Sequence, residues 1–250
     1  MRRPSYRDLA LVTRTYDFAE ADRVIVLLTR DHGVVRGVAK GVRRARSRFG
    51  SRLQLFVELS VQLYEGKNLA TITGADTVEF FSTRIIGDFD RYAAGCAALE
   101  AAERLAVADY GGDPFFFDAV LGFLSRLADL PEGADPTPGL DRVLLELMGH
   151  SGWAPELFSC AQCGRPGPHH AFHAPAGGAV CGLCRPPGAA RCEEEVLHAM
   201  WLLGRGREEE ASAILDAGRG RAAEAHRLVT AHLHYHLEGS IRALGAARGA

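Results

Sequence analysis

The spacing of apolar residues along the chain changes near residue 78. Before that point, apolar residues form short runs or alternate with polar residues, and turns containing glycine separate the runs, as is typical of β-strands. After it, apolar residues recur at intervals of three and four, as on one face of an α-helix. We therefore predict a β-rich domain over residues 1–78 and a helical domain over residues 79–250.

Five strands are predicted in the β-rich domain: Leu9–Thr13, Val24–Thr29, Val34–Ala39, Leu53–Leu63 and Leu69–Thr73. So many short strands in about 70 residues favour a small barrel or sandwich, and an oligonucleotide-binding (OB) barrel has a small lead over an SH3-like one. The helices are predicted at Tyr92–Ala108, Phe115–Leu130, Leu140–Gly149, Glu193–Leu203, Glu208–Asp216 and Arg221–Leu244. The predicted class is α+β, a five-stranded OB-type barrel followed by an all-helical domain.

Two cysteine pairs interrupt the helical domain, within a Pro/Gly-rich stretch too long for an idle loop. Each pair has two residues between its cysteines, and 17 residues separate the pairs: Cys160, Cys163, Cys181 and Cys184. A turn of this length can present both thiolates to one metal at ~2.3 Å, and two such turns complete a tetrahedron. We predict one structural Zn²⁺ in a module at about residues 157–188, because four sulfurs leave no position for water.

Other interpretations of the cysteines stay open. One is that the four thiols are reduced and bind no metal, and another is that they form two redox-active pairs. Nearby histidines are alternative ligands, although the double pair makes them unnecessary: His169, His170 and His173. Of the remaining cysteines, Cys96 is expected to be a small buried apolar residue, and Cys192 has no assigned role.

A run of basic residues lies between the third and fourth predicted strands. Six cations occur within thirteen residues, namely Lys40, Arg43, Arg44, Arg46, Arg48 and Arg52. No acidic residue occurs between Asp31 and Glu58, so the positive charges are not balanced locally. Such a run on a small barrel suits the phosphate backbone of a nucleic acid, and Phe49 within it offers a ring to bases. A solvated loop without a partner is the other interpretation, and for Phe56 and Tyr64 we expect core packing.

Charge is distributed unevenly along the chain, although the net charge is −2. Residues 1–80 hold 14 Lys/Arg against 9 Asp/Glu, and residues 81–159 hold 5 against 13. A basic first part and an acidic middle indicate a binding surface for a polyanion on the basic part. We find no phosphate-binding loop, serine hydrolase elbow or zinc-protease helix, so we expect no enzymatic activity. We see neither a membrane-spanning run nor a secretion signal.

Several segments together resemble the RecO family of recombination mediators. In the β-rich domain they are Glu20-Ala21-Asp22-Arg23-Val24, Ala39-Lys40-Gly41-Val42-Arg43-Arg44 and Ser47-Arg48-Phe49-Gly50. In the helical domain they are Leu140-Asp141-Arg142 and Gly152-Trp153-Ala154-Pro155, which leads into the two cysteine pairs. The resemblance covers most of residues 6–190 and is loose beyond residue 195.

The resemblance implies a bacterial, cytoplasmic, nucleoid-associated protein without enzymatic turnover. Family members bind single- and double-stranded DNA, anneal complementary strands, and act with RecR to help RecA replace the single-stranded-DNA-binding protein. For this chain, the resemblance implies that the six loop cations contact DNA, with Arg36 as a further candidate. It also implies that the four paired cysteines are zinc ligands. Arg23 lies in the matching motif, where an ion pair with Glu20 or Asp22 inside the barrel is its alternative role.

The sequence leaves three alternatives to a DNA-binding recombination mediator. A zinc-ribbon transcription or RNA-binding factor would carry its nucleic-acid contacts on the cysteine module, but residues 160–190 hold only two basic residues, Arg165 and Arg185. A zinc-dependent hydrolase or nuclease would need an open metal position. An assembly scaffold would use the basic loop to hold an acidic protein. Whether the C-terminal arginines contact DNA stays open: Arg205, Arg207, Arg219, Arg221 and Arg227.

Overall fold

The computed structural model describes residues 5–106 and 112–246. The chain forms two compact units, Met1–Pro131 and Glu132–Ala250, and each is described by itself. The first unit contains the β-rich part together with the helices that follow it directly. The division into domains at residues 78 and 79 stays a prediction, although the strands of the first unit do end close to it, at Phe80.

Five strands close into a barrel in the first unit: β1 (Ser5–Phe18), β2 (Asp22–Thr29), β3 (Gly33–Ala39), β4 (Val57–Tyr64) and β5 (Ala70–Phe80). Their order around the barrel is β1-β2-β3-β5-β4, and only the β3–β5 pairing is parallel. This arrangement confirms the predicted OB-type fold. Strands β1 and β5 run further than predicted, because polar residues are frequent in their outer ends and interrupt the apolar runs on which the prediction was based.

Alternate residues of the strands fill the barrel. Ile25 and Leu27 from β2 are completely buried, as are Leu59 of β4 and Ile72 of β5, because side chains two apart share a face of a strand. Gly37 of β3 faces Ile72 so closely that a β-carbon there would lie 2.8 Å from that side chain. Glycine at this position therefore lets two strands and a large side chain meet inside a narrow barrel.

Three helices complete the first unit: α1 (Ser82–Ile85), α2 (Phe89–Ala106) and α3 (Pro114–Asp129). Helices α2 and α3 pack against β1 and β2. Thr13 of β1 donates to the buried carboxylate of Glu103 on α2, at 2.7 Å. Arg30, just after β2, donates to both carboxylate oxygens of Asp118 on α3, at 2.9 and 3.0 Å. These contacts hold the two helices over part of the outer face of the barrel.

Five helices and a small sheet make up the described part of the second unit: α4 (Thr137–His150), β6 (Ala171–His173), β7 (Gly178–Ala179), β8 (Ala190–Arg191), α5 (Glu194–Leu203), α6 (Glu208–Asp216), α7 (Arg221–His236) and α8 (Arg242–Ala246). The strands are antiparallel in the order β7-β6-β8. They lie in the long segment between α4 and α5 that also carries the cysteine pairs.

The prediction of one helix over Arg221–Leu244 was wrong. Helix α7 ends at His236, and Glu238 takes a left-handed conformation with φ of 51°. The amide of Gly239 then donates to the carbonyl of His234 at 3.2 Å, which satisfies one of the free carbonyl groups at the helix end. Apolar spacing continues across this break, so periodicity alone does not locate it.

Two polar contacts hold α7 in the second unit, one to α4 and one to the loop that follows α4. Asp141 of α4 is buried and lies 2.7 Å from Nδ1 of His226 on α7. Burial raises the pKa of the Asp141 carboxyl group, and the hydrogen bond with His226 opposes that effect. His232, also on α7, contacts the carbonyl of Trp153 through Nε2 at 2.9 Å.

Within the described residues, no helix combines the length and apolar character needed to cross a bilayer.

Candidate nucleic-acid interface and metal centre

The basic run forms a folded loop between β3 and β4, over residues 40–56. Consecutive turns build it, with the amide of Arg44 donating to Gly41 at 3.1 Å and that of Ser47 donating to Arg44 at 2.9 Å. Gly41 has φ of 68°, a left-handed conformation that glycine adopts without strain. Phe49 and Leu53 pack into the barrel core and anchor the loop.

Every cation predicted to contact DNA is exposed, and these residues are Arg36, Lys40, Arg43, Arg44, Arg46, Arg48 and Arg52. Arg48 lies over the ring of Phe49, with 4.8 Å between its guanidinium carbon and the ring centroid. Arg52 donates to the carbonyl of Ala75 at 3.2 Å. The side chains of Arg36, Lys40, Arg44 and Arg46 form no hydrogen bond or ion pair within residues 5–106 and 112–246. Their donors are therefore turned to solvent.

Phe49 does not fit its predicted role. Its side chain is 1% exposed and belongs to the core of the barrel, so its ring presents no face to a base. In a sequence, an aromatic residue within a basic run suggests a position where bases stack, but here the Phe49 ring fixes the loop to the barrel. Phe56 is buried, as we expected, whereas Tyr64 at the end of β4 is partly exposed.

Acidic residues at the β1–β2 hairpin hold the start of the loop, a feature that the sequence analysis missed. Oδ1 of Asp22 accepts from the amide of Gly41 at 2.7 Å, and the amide of Arg43 donates to the carbonyl of Ala21 at 3.0 Å. Asp17 pairs with Arg23 at 2.9 Å and with Arg43 at 3.3 Å. The loop is thereby tied to the hairpin tip by its own backbone and by one of its cations.

The same contacts correct the alternative role of Arg23. This residue pairs with Asp17 at the surface, rather than with Glu20 or Asp22 inside the barrel. Its hydrogen bond lowers the pKa of the Asp17 carboxyl group, and the charges of Arg43 and Arg23 act in the same direction. Asp17 therefore stays ionised and continues to orient Arg43.

Four cysteine sulfurs meet in the second unit. The ligand atoms of Cys160, Cys163, Cys181 and Cys184 all lie within 4.8 Å of one another, and no other group of three or more potential metal ligands occurs in the described chain. Four bonds of ~2.3 Å at tetrahedral angles would place the sulfurs about 3.8 Å apart. The sulfurs of Cys163 and Cys181 are 3.9 Å apart. The cluster therefore has the size and the donor set of a metal site with four thiolates.

Backbone amides prepare the cysteine cluster for negative charge. The amide of Cys181 donates to the sulfur of Cys160 at 3.4 Å. Burial alone would raise the pKa of Cys160, but backbone hydrogen bonds, including that from Cys181, bring it to about 6. The amide of Cys184 lowers the pKa of Cys181 in the same way. Thiolate is the form that binds metal, so these amides favour the ligand state.

The remaining cysteines and the nearby histidines lie outside the cluster. Cys192 is buried, and burial raises its pKa to about 11, which keeps it a neutral thiol. Cys96 on α2 is half-buried, less than expected. The side chain of His169 contacts the carbonyl of Arg165 at 3.0 Å, within the turn that follows the first cysteine pair. None of the three candidate histidines belongs to the group of sulfur ligands.

Carboxylates neutralise several of the C-terminal arginines. Glu210 pairs with Arg207, Glu224 pairs with Arg227, and both Glu193 and Glu195 pair with Arg221. Arg205 instead lies over the ring of Trp201 at 4.8 Å. Paired guanidinium groups attract phosphate less strongly than the unpaired cations of the basic loop, because a bound strand would have to compete with the carboxylates.

Comparison with protein families covers both units. Residues 1–81 match the family described as Recombination protein O N terminal, and residues 86–245 match the family described as Recombination protein O C terminal. The first match spans the barrel with its basic loop, and the second spans the helices with the cysteine cluster. The chain belongs to the RecO family of DNA repair and recombination mediators.

Proposed function

We propose that this protein binds single- and double-stranded DNA through the β3–β4 loop, anneals complementary strands and, with RecR, helps load RecA onto single-stranded DNA. RecO membership supports a role in DNA repair and recombination. The contacts that we propose are the exposed cations Arg36, Lys40, Arg43, Arg44, Arg46, Arg48 and Arg52. Phe49 is left out because it is buried.

The observation that carries the proposal is a dense group of exposed cations on a folded, anchored loop. Like charges at this density repel one another, and a polyanion removes that repulsion while it releases its own counterions. Turns and a buried ring already fix the loop, so little conformational entropy is lost when DNA binds. Annealing needs two strands brought together with their phosphate repulsion screened, and an exposed cationic loop supplies that screening without a chemical step.

We also propose that the cysteine cluster holds one structural Zn²⁺. Cys160, Cys163, Cys181 and Cys184 would be the ligands, and the ion would join the two cysteine turns into one module. All four positions of a tetrahedral ion are then filled by sulfur, which leaves none for water or substrate. We accordingly expect a binding protein rather than an enzyme. RecR, the single-stranded-DNA-binding protein and, indirectly, RecA are the proposed protein partners.

The proposal is tested by fluorescence anisotropy with labelled single-stranded and duplex DNA, between about 0.05 and 0.2 M salt. In the test variant, three loop cations that form no hydrogen bond or ion pair in the described part of the chain become alanine: Lys40→Ala, Arg44→Ala and Arg46→Ala. We expect its affinity to fall roughly tenfold or more, and the slope of log K against log salt to lose about two units on single strands. Wild type should show a steep negative slope.

A matched variant removes the same charge elsewhere. Arg7→Ala, Lys67→Ala and Arg191→Ala replace three exposed cations outside the loop. Its affinity and salt slope should stay close to those of wild type. If wild type shows no salt-sensitive binding to either DNA, the DNA-binding proposal fails and the scaffold interpretation replaces it. Equal losses in the two variants would show that the charge of the whole protein, rather than the loop, attracts DNA.

A further inference from the structure

Two aromatic side chains stand exposed at the tip of the β1–β2 hairpin. Tyr16 is 42% exposed and Phe18 is 47% exposed. Every residue from Thr15 to Glu20 is exposed, so the hairpin tip projects beyond the packed part of the first unit. Neither ring packs against another aromatic ring within the described residues. Two large apolar side chains at a projecting tip indicate a surface that meets a partner.

Strand geometry places the two rings on one face. Tyr16 and Phe18 are two residues apart in β1, opposite Val24 and Asp22 of β2. Side chains at this spacing point the same way, roughly 6.7 Å apart along the strand. The next residues on that face, Arg14 and Val26, lie opposite each other, and Arg14 pairs with Glu103 of α2. The aromatic pair is thus the uncovered end of a face whose other end lies under a helix.

The basic loop adjoins this tip. Asp17, between the two aromatic residues, pairs with Arg43, whose amide donates to Ala21 in the β1–β2 turn. Asp22, opposite Phe18, accepts from the amide of Gly41. Both acidic residues are therefore engaged with the loop, and they hold it at the hairpin tip that carries the aromatic pair.

We propose that Tyr16 and Phe18 form a base-stacking surface that takes unpaired bases of single-stranded DNA, while the adjoining loop holds the phosphates. Bases in a duplex are stacked on one another and offer no free faces, whereas bases of a single strand can turn onto aromatic rings. Exposed rings beside a cationic groove are the usual arrangement for binding single strands with little sequence preference. The inference rests on the proposed DNA-binding function and adds to it a preference for unpaired DNA.

The test compares two single strands with equal backbones. One is a labelled oligothymidine of about 16 nucleotides, and the other is an abasic strand of the same length and charge. Wild type should bind the base-containing strand roughly tenfold more tightly than the abasic strand. In a variant with Tyr16→Ala and Phe18→Ala, that ratio should fall to about one, while affinity for the abasic strand and for duplex DNA stays unchanged.

Two further variants serve as controls. Phe89→Ala removes a ring that is 60% exposed at the start of α2, and it should leave the ratio unchanged. Tyr16→Trp keeps a ring, so it should preserve the ratio, and the added tryptophan fluorescence should be quenched by oligothymidine but not by the abasic strand. An unchanged ratio in the double alanine variant, or absence of quenching, overturns the stacking inference.

The outcomes also separate this inference from the proposed function. If wild type binds both strands equally and the loop variant loses both, DNA binding stands and stacking fails. If wild type binds neither strand nor duplex DNA, the proposed function itself fails and the stacking inference fails with it.

Discussion

A buried histidine makes the stability of the second unit depend on pH. His232 is almost completely buried, and burial lowers its pKa to about 4, against 6.5 for the free side chain. Between these values the unfolded chain binds a proton that the folded chain does not. Stability from His232 is therefore complete above pH 6.5 and is lost as pH falls towards about 4.

We expect His232→Gln to remove this dependence while its side-chain amide still donates to the carbonyl of Trp153. From neutral pH to about pH 4, wild type should lose ~3 kcal/mol more stability than the variant. Urea unfolding followed by circular dichroism at several pH values measures the difference. Parallel curves for the two proteins would mean that His232 takes up its proton in the folded state too. Loss of metal at low pH affects both proteins alike and cancels in the comparison.

The chemistry of single residues was only partly predictable from the sequence. The spacing of the cysteine pairs is visible in the sequence itself, so the cluster of four sulfurs could be predicted without knowledge of the fold. Burial is decided by tertiary packing. The sequence of the basic run alone therefore does not show whether the Phe49 ring is exposed or buried, and in the structure it is buried. The pairing of Asp17 with Arg43 joins residues far apart in the chain and was missed for the same reason.

At the scale of elements, the β1–β2 hairpin orders the basic loop. The bond from the Gly41 amide to Asp22 fixes the point where the loop leaves β3. A hydrogen bond to a charged acceptor contributes about 1.5–3 kcal/mol, enough to favour one loop conformation over others. If the loop binds DNA as proposed, Asp22 has two opposed effects: its charge repels phosphate, and its hydrogen bond orders the cations that attract phosphate.

Variants at Asp22 separate these effects. Asp22→Ala removes both the charge and the acceptor, and we expect affinity for single-stranded DNA to fall roughly threefold to tenfold because the loop loses its order. Asp22→Asn removes the charge but keeps an acceptor oxygen, so it should bind as tightly as wild type or more tightly. Anisotropy titrations at one salt concentration measure both. Tighter binding by Asp22→Ala than by wild type would show that repulsion, not order, is the main effect.

The type of most elements could be predicted, and their ends could not. Val24–Thr29 is a continuous apolar run that is buried on both faces of β2, whereas helical spacing in Glu208–Asp216 reflects burial on one face. The structure has elements at both places. The break after His236 depends instead on a left-handed residue and a capping bond, which leave no mark in the apolar spacing. The small strands β6 to β8 are too short to carry a pattern of their own.

On the scale of the whole molecule, the net charge conceals an uneven distribution of charge along the chain. The protein has a net charge of −2, yet its first 80 residues hold five more basic than acidic residues. Helices α2 and α3 pack against β1 and β2. Many OB barrels bind through the face of strands 2 and 3, together with the loops that join strands 1 and 2 and strands 4 and 5. Here the proposed stacking pair lies at the β1–β2 hairpin, as the fold class leads one to expect, whereas the proposed phosphate contacts lie in the β3–β4 loop.

The metal centre should govern the stability of the entire second unit. Cys163 is the one exposed member of the four sulfur residues, so Cys163→Ser costs little by itself and acts mainly through the metal. We expect zinc content to fall from about one ion per chain to nearly none, with a loss of more than about 10 °C in melting temperature. Metal analysis and calorimetry measure both, with Cys96→Ala as the control. A normal zinc content in Cys163→Ser would exclude this residue as a ligand.

The small core beneath the cysteine pairs has an evolutionary consequence. Cys160 and Cys181 are two of its five buried members, and the others are Ala171, Val180 and Ala189. A core this small buries too little apolar surface to fold by itself, so we expect folding of the module to depend on the proposed ion. If one cysteine is replaced during evolution and the ion is lost, the other thiolates still cost free energy to bury, and no metal bond offsets that cost. Among related sequences, the four cysteines should be inherited or abandoned as a set, with larger apolar residues filling the module where they are gone.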